Sequence, residues 1–195
     1  MRERLKSELG SVPYQNFLVY VMGPYTTFDI QALLPDDVDR TDVSLPSARA
    51  DEVVIDEMLA TLRRVQGQLR TDPGMNAFLA VDAGISLGEM DAATQSIRFA
   101  RESNAIVFVL PHLGDSLGVG MEVGAVLEDL YPDSERVIVI HEDSVSSAML
   151  GGITRRWEAH IATYANEDDL VDELRSFMVD IMYQEATGQL PQKEK

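Results

Sequence analysis

Three short runs, FLVYVM (17–22), AIVFVL (105–110) and RVIVIH (136–141), are apolar at nearly every position. A strand with one wet face alternates apolar and polar residues, whereas an unbroken apolar run needs cover on both faces. That requirement points to a parallel sheet sandwiched between helices. Two weaker strand candidates, NAFLAVDAG (76–84) and EAHIATYA (158–165), fit the same spacing. Helical patterns separate the runs. From Arg49 to Arg70, residues Ile55, Leu59, Leu62, Val65 and Leu69 recur at helical intervals, and DPG (72–74) ends the pattern. DAATQSIRFARES (91–103) reads as a helix opened by Asp91. DSLGVGMEVGAVL (115–127) turns into a helix that continues to about Leu130, and SVSSAMLGG (144–152) reads as a short helix with a glycine stop. NEDDLVDELRSFMVDIMYQEA (166–186) is a capped amphipathic helix with Leu170, Leu174, Phe177 and Ile181 on one face.

The alternation predicts an α/β fold. Its expected form is a three-layer, doubly wound, Rossmann- or flavodoxin-like sheet of five mainly parallel strands in the order 2-1-3-4-5. The 195 residues read as one domain, 1–195, with a core of about 17–183. An N-terminal helix and a loose tail, TGQLPQKEK, are expected to flank it.

Composition narrows the function classes. The chain has no cysteine, which excludes disulfide and thiolate chemistry. It has no run of membrane-spanning length and no apolar signal core at MRERLKSELGS, so a cytoplasmic protein is expected, with no membrane partner. Its net charge of −17 disfavours a nucleic-acid polymer, whose phosphates it would repel. Only Lys6, Lys193 and Lys195 are lysines; the other basic residues are arginines. The acidity reads either as an ordinary solvated surface or as adaptation to high internal salt. The composition resembles that of proteins from halophiles that accumulate salt, which points to a halophilic archaeon.

In a doubly wound sheet, ligands bind beyond the carboxyl ends of the strands. Gly23–Asp29, Asp82–Met90, Pro111–Glu122 and His141–Ser147 lie there. In the first segment, Gly23 admits close backbone approach and Tyr25 offers a phenol, although a plain turn explains both. In the third, Ser116 offers a helix cap or an anion-binding hydroxyl, and Gly118 and Gly120 clear the approach. Glu122 follows in the expected first helical turn, where the dipole favours its ionised form. An ionised carboxylate is a usable nucleophile toward an oxocarbenium-like carbon. Routine first-turn charge placement is the competing reading. Asp82 and Asp91 are the best placed of the remaining acids. His112, His141 and His160 make no metal-ligand spacing, and no Walker-type lysine follows a glycine loop. No metal or cofactor is therefore expected.

At these residues the chain resembles a known family. YVMGPYTTFD, SNAIVFVLP and SLGVGMEVGAVLEDL are similar to segments of the nucleoside 2-deoxyribosyltransferase superfamily. The closer similarity is to its 2′-deoxynucleoside 5′-monophosphate N-glycosidase branch, through the SLGVG-x-E-x-G block and SSAMLGG (146–152). The resemblance implies that Glu122 attacks C1′ while Tyr25 orients it, with Gly23 in the same first loop. It further implies that Ser116, Gly118 and Gly120 face a 5′-phosphate. Ser147, with Met149 beside it, would complete the site of a neighbouring subunit, giving a homodimer with shared active sites. Ser116 stands where the transferases carry an aspartate. Ser96 stands where the family places the aspartate that assists departure of the base; Asp91 is the nearest alternative, and Asp82 the next. The first loop lacks the arginine of the nucleotide branch. The acidic insertion 29–48 is positioned to act as a lid.

Three functions follow as expectations: an N-glycosidase or deoxyribosyltransferase acting on a (deoxy)nucleoside or its 5′-monophosphate; a nucleotide-sensing module of the same fold that no longer turns over; and a related glycohydrolase acting on a dinucleotide such as NAD. The intact glutamate frame favours an enzyme, and Ser96 favours the sensor.

Overall fold

The computed structural model describes residues 1–23, 52–86, 88–110, 117–144 and 148–193. Side chains are described for these residues except 52–56, 117–122, 148–151 and 154. The chain runs α1 (Arg2–Glu8), β1 (Tyr14–Met22), α2 (Glu52–Thr71), β2 (Met75–Phe78), α3 (Ala92–Glu102), β3 (Ala105–Leu110), α4 (Leu117–Leu130), β4 (Val137–Glu142), α5 (Ala148–Trp157), β5 (His160–Tyr164) and α6 (Glu167–Thr187).

The five strands form one sheet in the order β2-β1-β3-β4-β5, and every pairing is parallel. The sheet is the one the sequence predicts. Strand alternation divides its core between two layers. Leu18, Tyr20, Met22, Ile106, Phe108, Val137 and Val139 pack with residues of α1, α3, α4 and α5. Val19, Val21, Val107, Val109, Ile138 and Ile140 pack with α2 and α6. Both sides of β3 and β4 are thus dry, which is why these segments carry no alternation.

Three local expectations change. The second strand ends at Phe78 instead of continuing to residue 84, because the chain bends into a 3-10 turn over Ala80–Ala83. The Asp82 carboxylate accepts from the Leu79 amide at 2.9 Å, and Gly84 leaves the turn at φ 60, where a side chain would be strained. The helix expected to stop at Gly151–Gly152 continues to Trp157. A glycine costs only about 1 kcal/mol in a helix. Burial of Ile153 and a hydrogen bond from Trp157 Nε1 to Glu128 at 3.0 Å favour the longer helix.

The C-terminal tail is not loose. Leu190 is buried, Arg136 donates to the carbonyl of Pro191, and Lys193 Nζ donates to the carbonyl of Arg101 at 2.8 Å. Burial pushes the Lys193 ammonium below its ordinary range. These contacts belong to a polar knot beneath the amino ends of the strands. Arg136, fully buried, also donates to the carbonyl of Asn104 at 2.9 Å and pairs with Glu185 of α6. Asn104 donates to both Glu185 oxygens at 3.0 Å and accepts from the Leu18 amide at 3.0 Å. Arg2 reaches the same Asn104 side chain at 2.8 Å. Arg2 near the start and Leu190, Pro191 and Lys193 near the end are therefore built into the fold.

Candidate functional site

The order 2-1-3-4-5 reverses direction at β1. The chain leaves β1 for β2 on one side, and later returns to β3 on the other. The crevice between the carboxyl ends of β1 and β3 is the switch point, where such sheets bind ligands. Met22 pairs with Phe108 at its base. Gly23 lies at its lip, buried. A β-carbon on Gly23 would stand 2.9 Å from both Leu62 methyl carbons and 3.3 Å from the Val109 carbonyl oxygen. The missing side chain is therefore explained by close packing of β1 against α2 and β3, and needs no ligand.

Helix α4 begins just beyond β3. Gly118, Gly120 and Glu122 are its second, fourth and sixth residues. Glu122 thus lies in the second turn, not the first as expected, and the dipole acts on it more weakly there. It is the only titratable residue in the first two turns of this helix. Val123, Val126 and Leu127 turn into the core and fix the helix on the sheet. Tyr25, Ser116, Ser147 and the acidic insertion 29–48 lie outside the described residues. Met149 is the second residue of α5, which begins beyond the carboxyl end of β4.

The two acids considered for base departure are committed elsewhere. Asp91 is the N-cap of α3: its carboxylate accepts from the Thr94 amide at 2.9 Å and from the Thr94 hydroxyl at 2.7 Å. These bonds hold its carboxyl below the usual range, the wrong direction for an acid that must carry a proton. Asp82 is bonded to α2, accepting from Arg63 at 2.5 Å and from Gln66 at 2.7 Å, in addition to its own turn. Neither residue is assigned proton transfer; both hold elements in place. Ser96, at the position that the resemblance gives to an aspartate, is buried on α3.

A second group of polar residues lies at the ends of β4 and β5. His141 pairs across the sheet with Leu110 on one side and Thr163 on the other. It is buried, and its Nδ1 lies 2.8 Å from the Glu142 carbonyl oxygen. Alternation sets His141 on the α4–α5 face with Val137 and Val139, and Glu142 on the α6 face. Burial, aided by Glu142, pushes the Tyr164 phenol up to about 12, so it stays a hydroxyl donor at ordinary pH. Sequence reasoning passed over His141 because it searched the histidines for metal spacing. The usable signal was its place immediately after an apolar strand.

Among the described residues, no three His, Asp or Glu side chains converge to hold a metal ion, and no helix is long and apolar enough to cross a membrane. No curated protein matches the sequence. A family model does, over residues 2–194, so the chain belongs to the family described as a domain of unknown function, DUF7509.

Proposed function

We propose that the protein cleaves or transfers an N-glycosidic bond of a (deoxy)nucleoside or its 5′-monophosphate, with Glu122 as nucleophile. The observation that carries this reading is the placement of the glutamate-bearing helix. It starts at the carboxyl end of β3, beside the switch point of a 2-1-3-4-5 sheet, with glycines at its second and fourth positions. The resemblance to the deoxynucleoside monophosphate N-glycosidases supplies the remaining roles. Tyr25 orients Glu122, Gly23 shapes the first loop, and Ser116, Gly118 and Gly120 face the phosphate. Ser147 and Met149 of a second copy complete the site in a homodimer. The acidic composition fits a cytoplasmic protein working in high salt.

The test is incubation with nucleosides, deoxynucleotides and NAD in molar KCl, with released base read by chromatography. Glu122→Gln keeps the shape and removes the charge. It is expected to lower cleavage by about 10³-fold or more, because a covalent glycosyl intermediate needs the carboxylate. A variant that cleaves at the wild-type rate sinks the assignment, and release of nicotinamide alone would move the substrate to dinucleotides.

A sensor reading draws on one specific observation: Asp82 and Asp91 are engaged in structure, and Ser96 replaces an acid. Calorimetry that detects tight nucleotide binding, with no base released over hours, would favour it.

A further inference from the structure

We propose that the outer edge of β5 and the acidic groove beside it form a docking site for an extended basic segment of a partner protein, which joins the sheet as a sixth strand. The inference is independent of the glycosidase reading. It begins with the two edges of the sheet, where backbone groups have no strand to pair with. β2 is the protected edge. All four of its residues are buried, and Arg70 and Gln66 of α2 donate to its Ala77 carbonyl at 3.2 and 3.3 Å. β5 lies at the other edge, with only β4 beside it. Its register with β4 runs unbroken from His160 to Tyr164. Its sequence, HIATY, has no lysine, arginine, acid or proline, and it has no bulge, so the usual devices that blunt an edge are missing. Among the described residues, its backbone bonds are the ladder with β4 and the Asp143 amide on the Tyr164 carbonyl. His160 and Thr163 are exposed, on opposite faces of the sheet.

A groove of about 700 Å³ opens beside the start of this strand. Glu135, Glu158, His160, Glu173, Phe177 and Asp180 line it. Its floor is aromatic: the His160 and Phe177 rings stack at 5.7 Å and 28°. Its walls carry the four carboxylates. Among the described residues, no lysine or arginine pairs with any of them; Asp180 accepts only from Gln184, at 2.7 Å. Glu158 holds φ 59 where the chain turns from α5 into β5, a backbone that glycine would adopt without strain. The side chain is thus kept at the groove at some cost to the turn.

These features select the occupant. Backbone pairing with an edge supplies affinity whatever the sequence, and the pockets beside it choose the side chains. A segment of about five residues matches the length of β5. Its alternate side chains fall on the α6 face, beside the groove. An arginine or lysine there finds carboxylates at its head and aromatic rings along its stem. A second copy of this chain fits poorly, because it would bring the same four carboxylates, and the same surplus of 17 negative charges, to the contact.

The experiment uses the full chain in molar KCl and a fluorescein-labelled peptide of about six alternating arginines and valines, blocked at both ends. Anisotropy should show saturable binding. The same peptide with every backbone amide methylated keeps its charge but cannot pair with a strand, and should bind at least about 10-fold more weakly. A glutamate–valine peptide should bind more weakly still. The combined variant Glu158→Gln, Glu173→Gln, Asp180→Asn changes only exposed groups and should weaken binding of the arginine peptide by about 10-fold, with its melting curve near wild type. Glu158→Gly should bind more weakly without a loss of melting temperature. Hydrogen exchange of residues 159–164 should slow in the complex. Absence of binding, equal binding of the methylated or the glutamate peptide, unchanged affinity in the combined variant, or protection confined to other segments each overturns the proposal. So does a dimer in light scattering that already protects β5 without peptide, because the edge would then belong to a second copy.

Discussion

Gly23 and Leu62 meet so closely that a β-carbon on the glycine would lie 2.9 Å from either methyl carbon of the leucine. Leu62 is itself nearly fully buried on α2, so it has little room to retreat. Gly23→Ala is therefore expected to cost about 1–3 kcal/mol by overpacking. In a Leu62→Ala background the penalty should shrink, because the obstructing methyls are gone. Denaturant melts of the four proteins in this cycle check the coupling; an equal penalty in both backgrounds would place the strain elsewhere.

Asp91 is expected to behave as a cap and not as a catalytic acid. Asp91→Asn retains a good capping side chain and should leave both melting temperature and turnover near wild type. Asp91→Ala should lower the melting temperature. Its carboxyl lies below the usual range in the folded state, so its ionised form contributes stability above the unfolded value of about 4. That contribution fades as pH falls through the lower folded value, and the Asn variant should lack this acid-side loss. A loss of about 10²-fold or more in turnover on Asp91→Asn would restore a role in chemistry.

The knot of Arg136, Glu185, Asn104 and Arg2 ties the strand bottoms to α1 and α6. Removing one partner of a buried ion pair leaves the other charge without compensation. Glu185→Ala is expected to cost about 3–5 kcal/mol. Deleting residues 189–195 removes the buried Leu190 side chain and the carbonyl that Arg136 uses. It should cost at least the roughly 1.5–3 kcal/mol of a buried leucine. Urea midpoints measure both, and a tail deletion without effect would show that the anchoring contributes nothing.

Salt should stabilise the protein. Exposed pairs such as Arg4–Glu89 and Arg101–Asp129 each contribute about 0–1 kcal/mol and weaken as salt rises. Against them stands a surplus of 17 negative charges, whose mutual repulsion is screened within about 3 Å at 1 M salt. The surplus is the larger effect, so the melting temperature should climb from low salt to molar KCl. A flat or falling curve refutes adaptation to salt.

The sequence determined the layers and the sheet. FLVYVM, AIVFVL and RVIVIH contain no polar side for water, and the helices between them carry one apolar face each, so a parallel sheet covered twice satisfies them all. Local chemistry also set the caps, since Asp91 and Asn166 each accept from a backbone amide three residues on. What only tertiary structure decided was the use of each polar group. Asp82 and Asp91 looked available for chemistry because a sequence shows residue type and approximate place, but not the partners that consume a carboxylate. Gly23 looked like room for a ligand, and its nearest neighbour is a leucine 39 positions away in the chain. Arg2, Asn104, Arg136 and Glu185 carry no motif, because their spacing in sequence reflects nothing local. They come together only when the sheet and α6 bring their backbones into reach, and burial then makes each hydrogen bond count more than it would in water.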